Sequence, residues 1–207
     1  SLDWCYRTEP CSGLNGRAID WPRGKVLGGS SSLNGLLYVR GQPQDYDRWR
    51  QMGNDGWGWD DVLPLFKKSE DQERGADEFH GIGGPLSVSN MRIKRPICDA
   101  WVAAAQEAGY PFNPDYNGKN QEGVGYFQLT TKKGRRCSAA VAYLKPIRDR
   151  ENLKIITHAQ VKQIDLDGKR ATGVTYLDRS GKECSITARR ETIISAGAIN
   201  SPQLLMQ

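Results

Sequence analysis

A glycine- and serine-rich segment at residues 24–35, which reads Gly-Lys-Val-Leu-Gly-Gly-Ser-Ser-Ser-Leu-Asn-Gly, restricts the fold more than any other part of the chain. Paired glycines carry no Cβ, so their backbone N–H groups can come close to a ligand. Such N–H groups beside serine hydroxyls suit phosphate oxygens or the polar edge of a ring, and Lys25 adds a positive charge. Taken alone, the pattern is equally typical of a simple loop.

Two known phosphate-binding loops are excluded by the spacing of the glycines. A P-loop closes with Gly-Lys-Ser or Gly-Lys-Thr after its spacer residues, and the segment contains no such closure. The chain also lacks Gly-x-Gly-x-x-Gly, which is the usual pyrophosphate fingerprint of a Rossmann unit.

The C-terminal part of the chain predicts strands that lead into a helix. Residues 153–157 predict a short apolar strand, and residues 161–166, 171–177 and 183–187 alternate like strands around a hairpin turn at 167–169. Residues 192–196 predict a buried strand that runs into Gly197, and Ser201 with Pro202 predicts the start of a helix. Strand, glycine and helix in this order are the geometry of a nucleotide-binding sheet.

The middle of the chain is mixed. Apolar spacing predicts helices over residues 45–52 and 96–108 and a helix that begins at Asp60 or Asp61. It also predicts strands over 86–88 and 124–130 and a helix over 139–144, capped by Ser138 and ending at Pro146. The fold class that follows is α/β with mixed α+β character.

Composition excludes several classes of protein. Hydrophobic residues make up 38% and charged residues 26% of the 207 residues, which is typical of an ordered globular chain. No apolar run reaches the length of about 18 residues that a membrane span needs. The net charge of +5 is scattered, which argues against nucleic-acid binding. Five cysteines without a Cys-x-x-Cys pair exclude zinc spacing and favour free thiols in a reducing cytoplasm.

Two motifs in register resemble the signatures of the glucose–methanol–choline (GMC) oxidoreductases. Residues 21–41, followed by Asp45, Tyr46, Asp47 and Trp49, are similar to the first signature, and residues 197–206 (Gly-Ala-Ile-Asn-Ser-Pro-Gln-Leu-Leu-Met) are similar to the second. Family-like patches also occur at residues 80–86 and 136–140. The resemblance covers essentially the whole chain and is strongest to choline dehydrogenase and related bacterial alcohol dehydrogenases.

The resemblance implies contacts with FAD over most of the first signature and at two places in the C-terminal part. The implied cofactor-binding residues are Val26, Gly28, Gly29, Ser30, Asn34, Gly35, Leu36, Leu37, Val161, Ala196 and Gly197. Some family members attach the flavin covalently through a histidine immediately before the asparagine. The corresponding residue here is Leu33, so we expect non-covalent FAD and no metal.

The resemblance also implies a domain organisation. Residues 1–41 and 147–207 would be parts of an FAD-binding Rossmann-like domain, interrupted at residues 42–146 by part of a substrate-binding domain. The implied activity is oxidation of the CH–OH group of an alcohol, choline-like or primary aliphatic or aromatic, with hydride transfer to flavin N5 and onward transfer to a quinone, a dye or oxygen. We expect a cytoplasmic protein or one at the membrane periphery.

No catalytic residue is expected within the chain. The family's Gly-x-Gly-x-x-Gly unit and its catalytic histidine are absent, so further N- and C-terminal parts of the same enzyme would be needed. His80 and His158 match structural patches of the family. Tyr38, Arg40 and Trp57 are interpreted as packing residues, and Cys137 as a small buried residue with no histidine near it in sequence.

Two alternatives remain at this stage. Hydroxynitrile lyases and a light-driven fatty-acid decarboxylase resemble the same family, so a lyase or decarboxylase on the FAD scaffold fits the residues too. A non-catalytic fragment that binds a partner is the other alternative.

Overall fold

A computed structural model describes residues 1–207, the whole chain. The chain forms two compact units, Ser1–Ile147 and Arg148–Gln207. Each unit contains both helices and strands, which confirms the mixed fold class. None of the helices combines the length and the hydrophobicity that a bilayer span requires.

The first unit contains three helices, six short strands and four short helical turns. The helices are α1 (Pro43–Gln51), α2 (Trp59–Ser69) and α3 (Pro96–Glu107). The strands form three pairs: antiparallel β1 (Tyr6–Arg7) with β2 (Asp20–Trp21), parallel β3 (Glu70–Gln72) with β4 (Leu86–Val88), and antiparallel β5 (Thr131–Lys132) with β6 (Arg135–Arg136). The short turns are 3₁₀ at Ser12–Leu14, Gly29–Ser32 and Lys145–Ile147, and π-helical at Ala140–Leu144.

Three of the four helices predicted in this unit are confirmed as α-helices, with small changes at their ends. α1 begins at Pro43, whose missing N–H costs nothing at a first helical position. α2 begins at Trp59, before the predicted Asp60 or Asp61. Asp61 contributes from inside the first turn, where its carboxylate accepts the Gly58 N–H at 3.0 Å.

Aromatic side chains pack α1 against α2. The ring of Tyr46, which is buried, lies 5.5 Å from Trp49, 5.7 Å from Trp59 and 5.7 Å from Phe66, measured between centroids. Edge-to-face and tilted pairs at these distances add to the stabilisation from burial alone. The predicted packing of Trp57 is weaker, because it contacts Trp49 edge-on while about half of its surface stays exposed.

Two predictions in this unit need correction. Residues 124–130 do not form a strand. Leu129 makes isolated bridges to Leu37 and Ser89 instead, because the extended stretch around each of these neighbours is too short for a ladder. The helix after Ser138 forms, but it is π-helical, and a 3₁₀ turn carries the chain past Pro146 to Ile147.

The second unit is a three-stranded antiparallel meander followed by a helix. Strands β7 (Gln160–Asp167), β8 (Arg170–Leu177) and β9 (Glu183–Thr187) pair in order, which confirms the predicted hairpin. Helix α4 (Gly197–Leu205) begins four residues before the predicted Ser201. The Ser201 hydroxyl instead reaches back to accept the Ala196 N–H at 3.0 Å, so Pro202 lies inside the helix.

The predicted strands over residues 153–157 and 192–196 are absent. An extended apolar segment needs a neighbouring strand to satisfy its N–H and C=O groups, and no segment of this chain pairs with either of them. Ile193, expected to be buried, is 77% exposed.

Four charged side chains, three of them buried and the fourth partly exposed, form a cluster in the first unit that is called the buried cluster below. Arg40 Nη2 lies 2.8 Å from Glu70 Oε2, and the other Glu70 oxygen lies 3.1 Å from His80 Nδ1. His80 Nε2 lies 2.8 Å from Asp115 Oδ2. The side chains of Arg40, Glu70 and His80 are at most 3% exposed. Buried charges are tolerated only when they are paired and hydrogen-bonded, and here each cation faces an anion.

The cluster keeps His80 protonated. Burial alone would lower the pKa of His80, but the hydrogen bonds to Asp115 and Glu70 outweigh it and raise the pKa to about 9. Burial would raise the pKa of Asp115, and the hydrogen bond from His80 outweighs that effect and lowers it. At neutral pH the cluster therefore contains two cations and two anions.

We expect the stability of the protein to fall as pH rises. His80 binds its proton more tightly in the folded than in the unfolded chain, so its contribution is complete below a pH of about 6.5 and is lost as pH passes about 9. Melting temperatures of wild type and His80→Asn across this range measure the effect, and the variant should lose this pH dependence along with roughly 3–5 kcal/mol of stability.

His158→Asn is the matched control, because His158 is exposed and its left-handed backbone (φ 53°) suits asparagine. The control should keep the fall seen in wild type. If the melting temperatures of the two variants changed with pH in the same way, His80 would not be the source of the fall in stability.

Candidate functional site

The glycine-rich segment folds into a tight loop around the 3₁₀ turn Gly29–Ser32. A Cβ on Gly24 would lie 2.2 Å from the carbonyl oxygen of Gly29, so two parts of the loop backbone touch. Gly28 has φ of 87°, in the left-handed region that favours glycine, and a Cβ there would lie 2.7 Å from Ser32 Oγ. The loop itself therefore requires glycine at positions 24 and 28, whatever it binds.

Two of the serine hydroxyls donate their hydrogen bonds within the loop, so they are not available to a ligand. The Ser32 hydroxyl donates to the carbonyl of Leu27 at 2.9 Å, and the Ser31 hydroxyl donates to the carbonyl of Gly28. The sequence predicts that adjacent hydroxyls donate to phosphate oxygens, and for Ser31 and Ser32 this prediction is wrong. Hydroxyls beside a tight turn satisfy its carbonyls first. The Ser30 Oγ only accepts a backbone N–H within the loop, so its own proton remains available.

Backbone N–H groups are the donors that the loop leaves open. The amides of Leu27, Gly28 and Gly35 donate no hydrogen bond within the chain. A Cβ built on Gly29 or on Gly35 would meet no atom within 4 Å, so the backbone is open on that side. Such exposed N–H groups suit an anionic or polar ligand atom.

Apolar side chains stand exposed along the same segment. Between 39% and 54% of the surface is accessible for Leu27, Leu33, Leu37 and Val39. Exposed apolar groups beside a few free donors are typical of a site for a ligand with a flat ring and a polar edge. The Lys25 ammonium lies 4.3 Å from the centre of the Trp4 ring, so its charge is partly engaged.

Asn34 shapes the middle of the segment together with Arg136. Asn34 Oδ1 accepts the Leu36 N–H at 3.1 Å, which forms a side-chain turn and holds Leu36 at a φ of 70°. The same oxygen accepts a hydrogen bond from Arg136 Nη1 at 2.9 Å, and Arg136 also donates to the Ser31 carbonyl at 3.1 Å. Sequence reasoning noted Arg136 within a family-like patch and assigned it no role.

The end of the segment is fixed from a distant part of the chain. The Leu36 carbonyl accepts the Thr130 N–H at 2.9 Å, and the Tyr38 N–H donates to the Gln128 carbonyl at 2.9 Å. Arg40 then enters the buried cluster, and its guanidinium lies beside the Tyr38 hydroxyl at 3.3 Å. The packing roles predicted for Tyr38 and Arg40 are confirmed in a more specific form.

The structure brings Val26, Gly28, Gly29, Ser30, Asn34, Gly35, Leu36 and Leu37 together in one segment, and it places Val161, Ala196 and Gly197 in the second unit. Val161 lies in β7 opposite Tyr176. Ala196 precedes α4 and Gly197 opens it with a φ of 92°. A role for these three residues in cofactor binding stays a prediction.

The remaining candidate residues, two histidines and a cysteine, lie outside the glycine-rich loop. Both ring nitrogens of His80 are hydrogen-bonded inside the cluster, in agreement with its structural interpretation. His158 is exposed on a loop before β7. Cys137 is 2% exposed, which confirms it as a small buried residue.

A model of the GMC oxidoreductase family matches residues 7–207. The chain belongs to this family. It is 47% identical over 204 residues to human (Homo sapiens) mitochondrial choline dehydrogenase, covering 99% of this chain and 34% of that protein. Among solved structures, pyridoxine 4-oxidase from Mesorbium loti is 38% identical with a TM-score of 0.93, covering 100% of this chain and 41% of the other. An FAD-dependent oxidoreductase from Chaetomium thermophilum is 29% identical with a TM-score of 0.91, covering 99% and 38%.

The matched GMC proteins are considerably longer than this chain, which spans about a third to two fifths of their length. The GMC oxidoreductases bind FAD. The loop fits such a cofactor, because its free amides suit an anionic diphosphate or a polar ring edge and its exposed leucines suit a flat ring.

Proposed function

We propose that the protein is an FAD-dependent oxidoreductase acting on the CH–OH group of an alcohol, and that this chain forms one part of its FAD site. The observation that carries the proposal is the glycine-rich loop, with unbonded amides at Leu27, Gly28 and Gly35, in a chain of the GMC family. Choline and pyridoxine, named for two relatives, both carry alcohol groups. A choline-like or primary aliphatic or aromatic alcohol is therefore the substrate class that we propose.

The loop would hold the cofactor mainly through its backbone. The backbone around Val26, Gly28, Gly29 and Ser30 would line the cofactor, with the free Gly28 amide donating to its oxygens, and the open side of Gly29 would let the cofactor come close. Asn34, Gly35, Leu36 and Leu37 would contact the ring system. In the second unit, Val161, Ala196 and Gly197 would contribute further contacts to the cofactor.

The same proposal assigns domains. Residues 1–41 and 147–207 would belong to the FAD-binding domain, and residues 42–146 to the substrate side. This division follows the positions in the sequence of the loop and of Gly197, which opens helix α4. The compact units Ser1–Ile147 and Arg148–Gln207 group residues that lie close in space, whereas the proposed domains group residues by the ligand they would contact.

His80 is not the base for the alcohol proton. When bound, FAD supplies an acceptor for the electrons that leave the alcohol carbon, and a base must take the hydroxyl proton. His80 cannot do so, because its raised pKa keeps it protonated and both ring nitrogens are engaged in the core. We therefore propose that the base lies in another part of the protein.

FAD would be bound without a covalent link through Leu33, since an alkyl side chain has no atom that can form one. The onward acceptor would be a quinone, a dye or oxygen. A reducing compartment, cytoplasmic or at the membrane periphery, suits the five free thiols.

Gly35→Ala tests whether the open side of the loop faces the cofactor. The added methyl meets no protein atom within 4 Å and the backbone has no positive φ, so the fold should tolerate it. If Gly35 contacts FAD, the methyl should weaken FAD binding by roughly tenfold, a moderate overpacking cost. Titration of flavin-depleted intact protein with FAD measures this affinity.

Gly13→Ala is the control, because its Cβ would make only an ordinary 3.8 Å contact with Cys11 Sγ and it lies outside the loop. Equal FAD affinity for the two variants would show that Gly35 does not contact the cofactor.

Alcohol-dependent dye reduction by the intact purified protein tests the activity. We expect bound flavin, reduction of the dye with choline or another primary alcohol, and release of free FAD when the polypeptide is denatured. A protein without flavin would contradict the proposal, and flavin that stays on the denatured chain would contradict non-covalent binding. Flavin with no alcohol-dependent reduction would point to non-redox chemistry on this scaffold.

A further inference from the structure

Arg136 is a half-buried arginine that carries a charge without a carboxylate partner. It lies at the end of β6, and no Asp or Glu oxygen comes within 4.0 Å of its guanidinium. Its Nη1 instead donates to the carbonyl of Ser31 at 3.1 Å and to Asn34 Oδ1 at 2.9 Å. A cation is thus directed at the loop that we propose to bind an anionic cofactor.

The contact fixes which end of the Asn34 amide faces outward. Both groups around Oδ1, the Arg136 guanidinium and the Leu36 N–H, are donors and cannot accept. The amide oxygen must therefore face them, and a flipped amide would place donor against donor. The Nδ2 group is left without a hydrogen bond in the chain, so Asn34 presents a donor to a ligand on this side of the loop.

Further contacts from the same stretch support the loop. The Ala139 N–H donates to Ser31 Oγ at 2.9 Å. The backbone of Ala140 comes so close to Gly28 that a Cβ on that glycine would lie 3.1 Å from its nitrogen. The chain that follows β6 thus fixes the loop position at Gly28 and Ser31, and Arg136 fixes Asn34.

We infer that Arg136 is a positioning residue for the cofactor: it orients Asn34 so that its Nδ2 donates to the electron-accepting part of FAD, and it adds an uncompensated positive charge there. The inference rests on the proposed function. Reduction adds negative charge to the cofactor, so a donor and a cation beside it favour the reduced form.

The test is the midpoint potential of the flavin in the intact holoenzyme of Arg136→Gln and Asn34→Asp. Each should shift the reduced-to-oxidised ratio at a given potential about tenfold toward oxidised flavin, which for a two-electron couple is about 30 mV lower. Asn34→Asp keeps an oxygen for Arg136 and Leu36, so its melting temperature should stay near that of wild type. It replaces the free donor with a second acceptor oxygen and adds a negative charge beside Arg136, and both changes disfavour the reduced flavin. Arg136→Lys keeps the charge, so its midpoint potential should lie between those of Arg136→Gln and wild type.

Arg135→Gln is the matched control, since it removes one charge from the neighbouring exposed position of β6. Its potential should equal that of wild type. If Arg136→Gln and Asn34→Asp match the control, the inference is overturned, and Asn34→Asp still decides it should Arg136→Gln fail to fold. A wild-type protein without flavin would instead overturn the proposed function.

Discussion

Arg40 lies five residues after the glycine-rich segment and its guanidinium is buried, so the fold must provide an anion for it. Glu70 does so at 2.8 Å, and the same carboxylate accepts from His80, which in turn pairs with Asp115. The charges balance only while His80 holds its proton. Because these groups come from the stretch after the segment, from β3 and from two loops, their pairing ties four separate parts of the first unit together. Removing one partner would leave a buried charge uncompensated, at a cost of roughly 3–5 kcal/mol.

The cluster matters for the site because it fixes one end of the loop. Arg136 fixes the middle through Asn34, and the contact of Gly24 with Gly29 closes the beginning. Between these points the hydroxyls of Ser31 and Ser32 serve the carbonyls of the turn, and the amides of Leu27, Gly28 and Gly35 stay free. A loop held in this way can present its donors without paying to order them when a ligand binds, which is the physical meaning of preorganisation.

The local sequence pattern was sufficient to predict an element wherever that element forms its own backbone hydrogen bonds or pairs with the next element in the sequence. Helices α1 to α3 and the meander β7 to β9 follow from apolar spacing and turn residues. It failed at residues 192–196, where a strand needs a partner that this chain does not supply. The loop could be located from its motif, but the roles of Arg136 and Glu70 could not. Arg136 contacts Asn34 and Glu70 contacts Arg40, each across a long stretch of sequence.

Amide hydrogen exchange along the glycine-rich segment, compared between the intact holoenzyme and the same protein stripped of flavin, tests most directly whether this loop contacts FAD. The amides of Leu27, Gly28 and Gly35 have no partner in the chain, so a bound cofactor should slow exchange in peptides covering residues 26–37. Peptides covering the turn at Ser12–Leu14 should exchange equally in both forms. Equal exchange over residues 26–37 with and without flavin would contradict the claim that this loop contacts FAD.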